Sequence, residues 1–393
     1  MRVYRELLRT PHAARLLGGT LLGRLPNGMS VLAIVLFTRA HDGGYALAGA
    51  LAAAHGLAAA VGQPIFGRLM DRLGQPRVLL TSATVAGLGF VWFAVVGIGN
   101  IPLAAAAVVL AGFATPPLEP GLRALWPDVL DGPGQVQAAY SMDAAAQEIL
   151  FTLGPLLVIA SDLISPTAPL LLTAVLGLAG TLVVATASPS RHWKGAPRAA
   201  DWAGALRSPG LLVLLAALGC IGLSLGVFNV GMVAYAEGIG RSSAAGWLLA
   251  INAAGGLAGG LVYGARVWPG DPALRLPLLL GGLMIGYSLL MLTPALPAML
   301  FLSAISGLCL APALACSFGM VDDLAPRGTV TEAFAWIVAA MTVGVSAGSA
   351  LAGVVQDAAG TRVALAGAGL GGLVGLALCL AGRARLRPRV PAA

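Results

Sequence analysis

Twelve blocks of apolar residues, each long enough to cross a hydrocarbon layer, follow one another along the chain with short connections between them. A helix needs ~20 apolar residues to span a hydrocarbon core of ~30 Å. The blocks read as spans over 13–38, 45–66, 78–98, 102–122, 137–160, 168–187, 209–235, 243–264, 276–293, 298–319, 329–356 and 363–382. In lipid every backbone polar group must find its partner within the protein, so each span is expected to be a helix. The alternating pattern of membrane β-strands is absent. Composition agrees: 58% of residues are hydrophobic, 10% are charged and mean hydropathy is +0.89. A water-soluble chain of 393 residues would need more charge to cover its surface. Arg2, Arg5, Arg9 and Arg15 before the first block imitate a signal peptide. That block outruns a removable core of about 7–15 residues, so it is read as an uncleaved first helix. The expected fold class is an all-α membrane protein with twelve transmembrane helices.

The charges sort by side. With the connections numbered from the N-terminus, the two tails and the even connections hold nineteen Lys and Arg residues, and the odd connections hold three. Arg24, inside the first span, completes the 23. Positive residues stay on the inner face of a membrane. Both termini are therefore expected in the cytoplasm of a multi-pass protein of the cell (plasma) membrane. The net charge of +7 is spread over these loops and forms no basic face, so a nucleic-acid partner is excluded. Cys220, Cys309, Cys316 and Cys379 all lie inside apolar blocks without metal-ligand spacing, and no metal site is expected.

The two halves repeat. Phe66-Gly67-Arg68 after span 2 has an echo in Tyr263-Gly264-Ala265-Arg266 after span 8. Gly112 and Pro117 in span 4 match Gly307 and Pro312 in span 10. Ala139-Tyr140 and Gly154 in span 5 match Ala333-Phe334 and Gly348 in span 11. The offsets stay between 194 and 197, a steadiness that marks an internal duplication.

After span 2 the sequence runs Gly67-Arg68-Leu69-Met70-Asp71-Arg72-Leu73-Gly74-Gln75-Pro76-Arg77. It resembles the signature loop of the major facilitator superfamily, matching at Gly67, Leu69, Asp71, Arg72 and Gly74. It departs from that pattern at Gln75 and Pro76, where the family has basic residues. The resemblance implies two six-helix bundles, 1–190 and 209–393, joined by a cytoplasmic linker, 191–208. It also implies a gate at Gly67, Asp71, Arg72, Gly74 and Arg77 that latches the halves on the cytoplasmic side. Physically, Asp71 suits the positive N-terminal end of a neighbouring helix, and the arginines suit anionic lipid headgroups. The echo after span 8 lacks the Asp, so a weaker latch is expected there. Phe151-Thr152-Leu153-Gly154-Pro155 in span 5 faintly resembles the antiporter motif of the same family.

Ionisable groups at mid-membrane depth carry the functional reading. Arg24 lies eleven residues into span 1 and Glu148 eleven residues into span 5, each roughly 16 Å from the inner surface at 1.5 Å per residue. His55 reaches a similar depth from the other side. A charge at the bilayer centre costs at least ~2.5 kcal/mol unless a cavity or partner receives it. Arg24 and Glu148 are expected to pair, either as a fixed structural bridge or as a coupling site in which Glu148 carries a proton. Asn27 and Thr152 stand one turn from them. His55 reads either as a hydrogen-bonded core residue or as a functional one, and Asn252 is a deep polar residue of the second half. Asp143 with Gln147, and Glu119 with Arg123, share helix faces nearer the cytoplasm and read as gate or interhelix charges.

No phosphate-binding GxxxxGK[ST] loop and no hydrolase motif occurs, so neither an ATP-driven pump nor an enzyme is indicated, and no cofactor is expected. The best reading is a monomeric secondary transporter working by alternating access, with a small-molecule substrate, coupling protons and surrounding lipid as partners. Proton-coupled efflux of an amphipathic small molecule is the expected activity. The alternatives are uptake or facilitated diffusion of a small polar solute, and a transporter-like membrane sensor that moves nothing.

Overall fold

A computed structural model describes residues 2–195, 203–241, 244–266, 268 and 270–386. Within these residues the regular structure is helical throughout, and twelve helices are long and apolar enough to cross a membrane. Span 1 is Ala13–Ala40, span 2 Tyr45–Leu73, span 3 Gln75–Val96, span 5 Pro133–Asp162 and span 6 Ala168–Ala185. Span 7 is Pro209–Gly238, span 8 Ala244–Gly264, span 9 Pro272–Leu292, span 11 Val330–Ala359 and span 12 Thr361–Ala381. A short helix, Arg2–Arg9, precedes them. Large apolar side chains stand exposed along the spans, among them Leu57, Val95, Leu163 and Leu278 at 68%, 80%, 86% and 76%. In water such surfaces would associate; here they face hydrocarbon.

Spans 4 and 10 are each broken at the same repeat position. Span 4 consists of Ile101–Phe113 and Leu118–Val129, span 10 of Leu296–Gly307 and Leu310–Gly319 extended to Leu324. Pro116 and Pro117 supply no N–H where the first break falls. The amide of Gln63 in span 2 donates to the freed carbonyl of Thr115 at 3.1 Å.

The repeat is visible in how the helices touch. A Cβ on Gly112 would collide with the His55 carbonyl, and one on Gly307 with the Asn252 carbonyl. His55 and Asn252 are 197 residues apart, the offset of the repeat at spans 2 and 8. The His55 ring meets the Val108 carbonyl at 3.2 Å, and the Asn252 amide donates to the Ser303 carbonyl at the same 3.2 Å. Spans 2 and 4 thus pack as spans 8 and 10 do, backbone on backbone through a glycine, with one polar side chain pinning the crossing. Spans 1 and 5 meet at Gly28 and Gly154, and spans 7 and 11 at Leu223 and Gly348, again as repeat equivalents.

The signature segment is not a loop. Span 2 continues through Leu73 and span 3 begins at Gln75, leaving Gly74 as the joint at φ 83°. A positive φ is open to glycine at no steric cost, so the turn falls there. Gly67, one of the expected gate residues, lies inside the helix and permits close approach to span 11: a Cβ there would stand 2.9 Å from Ala335 Cβ and 3.0 Å from the Thr331 carbonyl. Residues 196–202 of the expected linker, with Arg198 and Trp202, lie outside the described residues.

Candidate functional site

Four charges from three helices of the first half meet in its interior. Arg24 of span 1 donates from Nη1 to Asp143 Oδ1 of span 5 at 2.6 Å, and from Nη2 to Glu119 Oε2 of span 4 at 2.7 Å. The same Nη2 reaches Gln147 Oε1 at 3.3 Å. Arg123, one turn beyond Glu119, donates from Nε to Asp143 Oδ2 at 2.8 Å and also pairs with Glu119. Arg24, Arg123 and Asp143 are 3%, 1% and 0% exposed. Two guanidinium groups and two carboxylates cancel in charge, and each carboxylate is shared between both arginines. A low-dielectric interior tolerates ions only when they are paired and hydrogen-bonded in this way.

The sequence pairs Arg24 with Glu148 and reads Asp143 as a gate or interhelix charge; the structure makes Asp143 a partner of Arg24, and the start of span 5 shows why hydropathy underestimates its depth. Counting from residue 137 puts Glu148 eleven residues deep. Span 5 begins at Pro133, with the proline in the first turn where a missing N–H costs nothing. From there Asp143 lies ten residues deep, level with Arg24, which is eleven residues from Ala13. The described partners of Arg24 are therefore Asp143, Glu119 and Gln147. Glu148 and Thr152 belong to the span 5 helix, and their side chains lie outside the described residues.

The second half caps this cluster with aromatics. The Arg123 guanidinium lies 3.5 Å above the Phe318 ring of span 10 and 6.0 Å from the Phe334 ring of span 11. Tyr140 of span 5 packs against Phe318 and Phe334 at centroid separations of 6.1 and 6.0 Å. Arg123 and Phe318 are repeat equivalents, and so are Tyr140 and Phe334. A residue that touches its own equivalent lies beside the pseudo-two-fold axis. The axis between the halves therefore passes through this cation–aromatic group.

The clasp between the halves lies at the end that carries the termini. Asp71, at the end of span 2, accepts from the backbone N–H groups of Thr331 and Glu332 at 3.1 and 2.9 Å. These are among the first N–H groups of span 11, which have no partner within their own helix, and a carboxylate there also meets the positive helix end. Arg68, one turn before Asp71, donates to the buried Glu332 Oε1 at 2.7 Å. Glu332 also accepts from the Ala205 N–H at 3.3 Å, tying in the segment before span 7. The Arg68–Glu332 bridge was missed because Arg68 stands in a run of charges with nothing to distinguish it, and its partner is 264 residues away. At the equivalent junction of spans 5 and 8, Gln137 donates to the carbonyls of Tyr263 at 3.4 Å and Arg266 at 3.2 Å.

The other expected residues scatter. His55 and Asn252 are 6% and 5% exposed and serve the crossings of spans 2 with 4 and 8 with 10. Asn27 is exposed and borders a cavity of about 20 Å³ with Ser30, Thr115 and Thr173, the size of one water. Arg72 and Arg77 are exposed at the terminal end.

The model of the Major Facilitator Superfamily matches residues 16–296. A search of curated proteins returns no match. Solved structures similar in fold include the human organic anion transporter MFSD10 (TETRAN), with a TM-score of 0.68 and 19% identity over 94% of this chain and 99% of that one. A bacterial homologue of the iron transporter ferroportin, in its outward-facing state, aligns with a TM-score of 0.73 and 13% identity over 94% and 98% of the two chains. The E. coli fucose:proton symporter aligns with a TM-score of 0.69 and 16% identity over 93% and 97%.

Proposed function

The chain belongs to the major facilitator superfamily and is a transporter, and we propose that it works by alternating access to drive proton-coupled efflux of an amphipathic small molecule. The observation that carries this reading is the clasp of Asp71 and Arg68 on the start of span 11, together with a buried, charge-balanced cluster in the first half. Spans 1–6 (residues 1–190) and 7–12 (209–393) are the units that move. The arginine-rich end faces the cytoplasm by the positive-inside rule, in a plasma-membrane monomer surrounded by lipid. The conformation in hand is then outward-facing, closed at the cytoplasmic end, a reading supported by the similar fold of a ferroportin homologue in its outward-facing state.

The coupling group is the set Arg24, Glu119, Arg123, Asp143 and Gln147, with Glu148 adjoining it in sequence. Opening the cytoplasmic end withdraws Phe318 and Phe334 with the second half and admits water to Arg123 and the shared carboxylates. A carboxylate that trades an arginine for a proton in one state, and returns it in the other, links proton flow to the conformational change. His55, Asn252 and Asn27 support the packing around this path.

The test is reconstitution in liposomes with an imposed pH gradient, using ethidium as an amphipathic probe. Wild type is expected to move ethidium only with the gradient. Asp143→Asn and Glu148→Gln are expected to weaken that dependence at least tenfold. Ethidium movement that ignores the gradient in wild type, or that keeps its full pH dependence in both variants, contradicts proton coupling.

A further inference from the structure

The two junctions between the halves are repeat equivalents, yet their chemistry differs. At the junction of spans 2 and 11, Asp71, Arg68 and Glu332 hold the halves. At the junction of spans 5 and 8 the equivalent positions are Trp268, Ala265 and Ala138, so both charges of the bridge and the capping carboxylate are gone. Trp268 does not cross the junction; its indole N–H donates to Tyr263 of its own half at 2.8 Å. What crosses instead, besides Gln137, comes from the N-terminal helix. The Tyr4 hydroxyl donates to the Leu261 carbonyl of span 8 at 2.9 Å, 257 residues away.

The N-terminal helix is built for this position. Its apolar side buries Tyr4 and Leu7, at 8% and 0% exposed, while Arg5, Glu6 and Arg9 face outward. The helix packs along span 5, and its tyrosine reaches over the boundary to span 8. Gly264 makes room for it: a Cβ there would collide with the Tyr4 hydroxyl and stand 2.5 Å from Ser141 Cβ of span 5. Gly264 is the repeat equivalent of Gly67, the glycine that seats span 2 on span 11. Burial pushes the Tyr4 phenol up to about 12, so it remains a hydrogen-bond donor across the working pH range.

We propose that the N-terminal helix is a latch that closes the junction of spans 5 and 8, supplying through Tyr4 what the signature segment supplies at the junction of spans 2 and 11. It belongs in sequence to the first half and holds the second, so it must release Leu261 each time the terminal end opens. The proposal rests on the alternating-access reading above.

The test uses a variant whose four native cysteines are replaced by serine and which carries Ser141→Cys, a position 0% exposed beneath Tyr4. Inside-out membrane vesicles present the terminal face to a membrane-impermeant maleimide. Tyr4→Phe keeps the ring and its packing and removes only the hydroxyl. It is expected to raise the rate of alkylation at position 141 threefold or more, and Asp71→Asn serves as the comparison. If Asp71→Asn accelerates labelling and Tyr4→Phe does not, the latch is overturned while the gate stands. If neither changes it, the gate reading itself fails and the latch with it. Acceleration by Tyr4→Phe, with or without Asp71→Asn, supports the latch.

Discussion

Arg123 and Phe318 occupy the same position in the two repeats, 195 residues apart, and the guanidinium of the first lies 3.5 Å above the ring of the second. One duplicated position has thus become a charge in the first half and an aromatic in the second, and the two meet at the axis. Such a contact favours the closed terminal end by about 0.5–2 kcal/mol. Phe318→Leu keeps an apolar side chain and removes the ring. Amide hydrogen exchange in the segment from Leu310 to Leu324 is expected to quicken by about 2- to 30-fold, the equivalent of that energy. Unchanged exchange would show that the stacking does not hold the end closed.

Arg24 is the hub of the charge cluster, and its loss leaves Glu119 and Asp143 short of a cation. Breaking a buried ion pair from one side costs about 3–5 kcal/mol. Arg24→Ala is expected to lower the unfolding temperature in detergent markedly. Adding Asp143→Asn to it is expected to recover part of the loss, because the stranded charge goes as well. Strictly additive losses would show that the two residues are not coupled.

His55 offers a test in the opposite direction. Its counterpart Asn252 makes the same bond to the same kind of carbonyl with an amide. His55→Asn is therefore expected to leave the pH profile of transport unchanged and to cost less than about 1.5 kcal/mol of stability, within the range of tolerated substitutions. His55→Leu removes the hydrogen bond and is expected to lower the melting temperature further. A shifted pH profile in His55→Asn would make His55 a coupling residue.

Much of this architecture could be read directly from the chain. Twelve apolar blocks, the sidedness of arginine and the steady offset between Gly112 and Gly307 lead to the twelve helices and their pairing. Asp71 was expected at a positive helix end because of its charge and position, and it caps span 11. What could not be read was long-range pairing at side-chain resolution. Span 5 begins four residues earlier than hydropathy suggests, because Pro133-Gly-Gln-Val-Gln is too polar to register as membrane. A four-residue shift is about one helical turn, and it brings Asp143 to the depth of Arg24. Gly67 was legible only as part of the gate; that it seats span 2 on span 11 depends on the partner helix. Tyr4 carried no signal at all; its meaning depends on a carbonyl 257 residues away.

The central claim is that the halves rock about this axis, with the clasp at Asp71 setting the balance. A carboxylate on a helix N-terminus contributes about 0.3–2 kcal/mol. Electron–electron distance measurements test it on purified protein with two spin-label pairs. One pair joins Arg72 and Arg327 at the terminal end; the other joins Asp42 and Arg241 at the opposite end, and all four positions are exposed. Asp71→Asn is expected to create a second population in which the Arg72–Arg327 distance lengthens while the Asp42–Arg241 distance shortens. Distributions at both ends that stay identical to wild type would contradict the account.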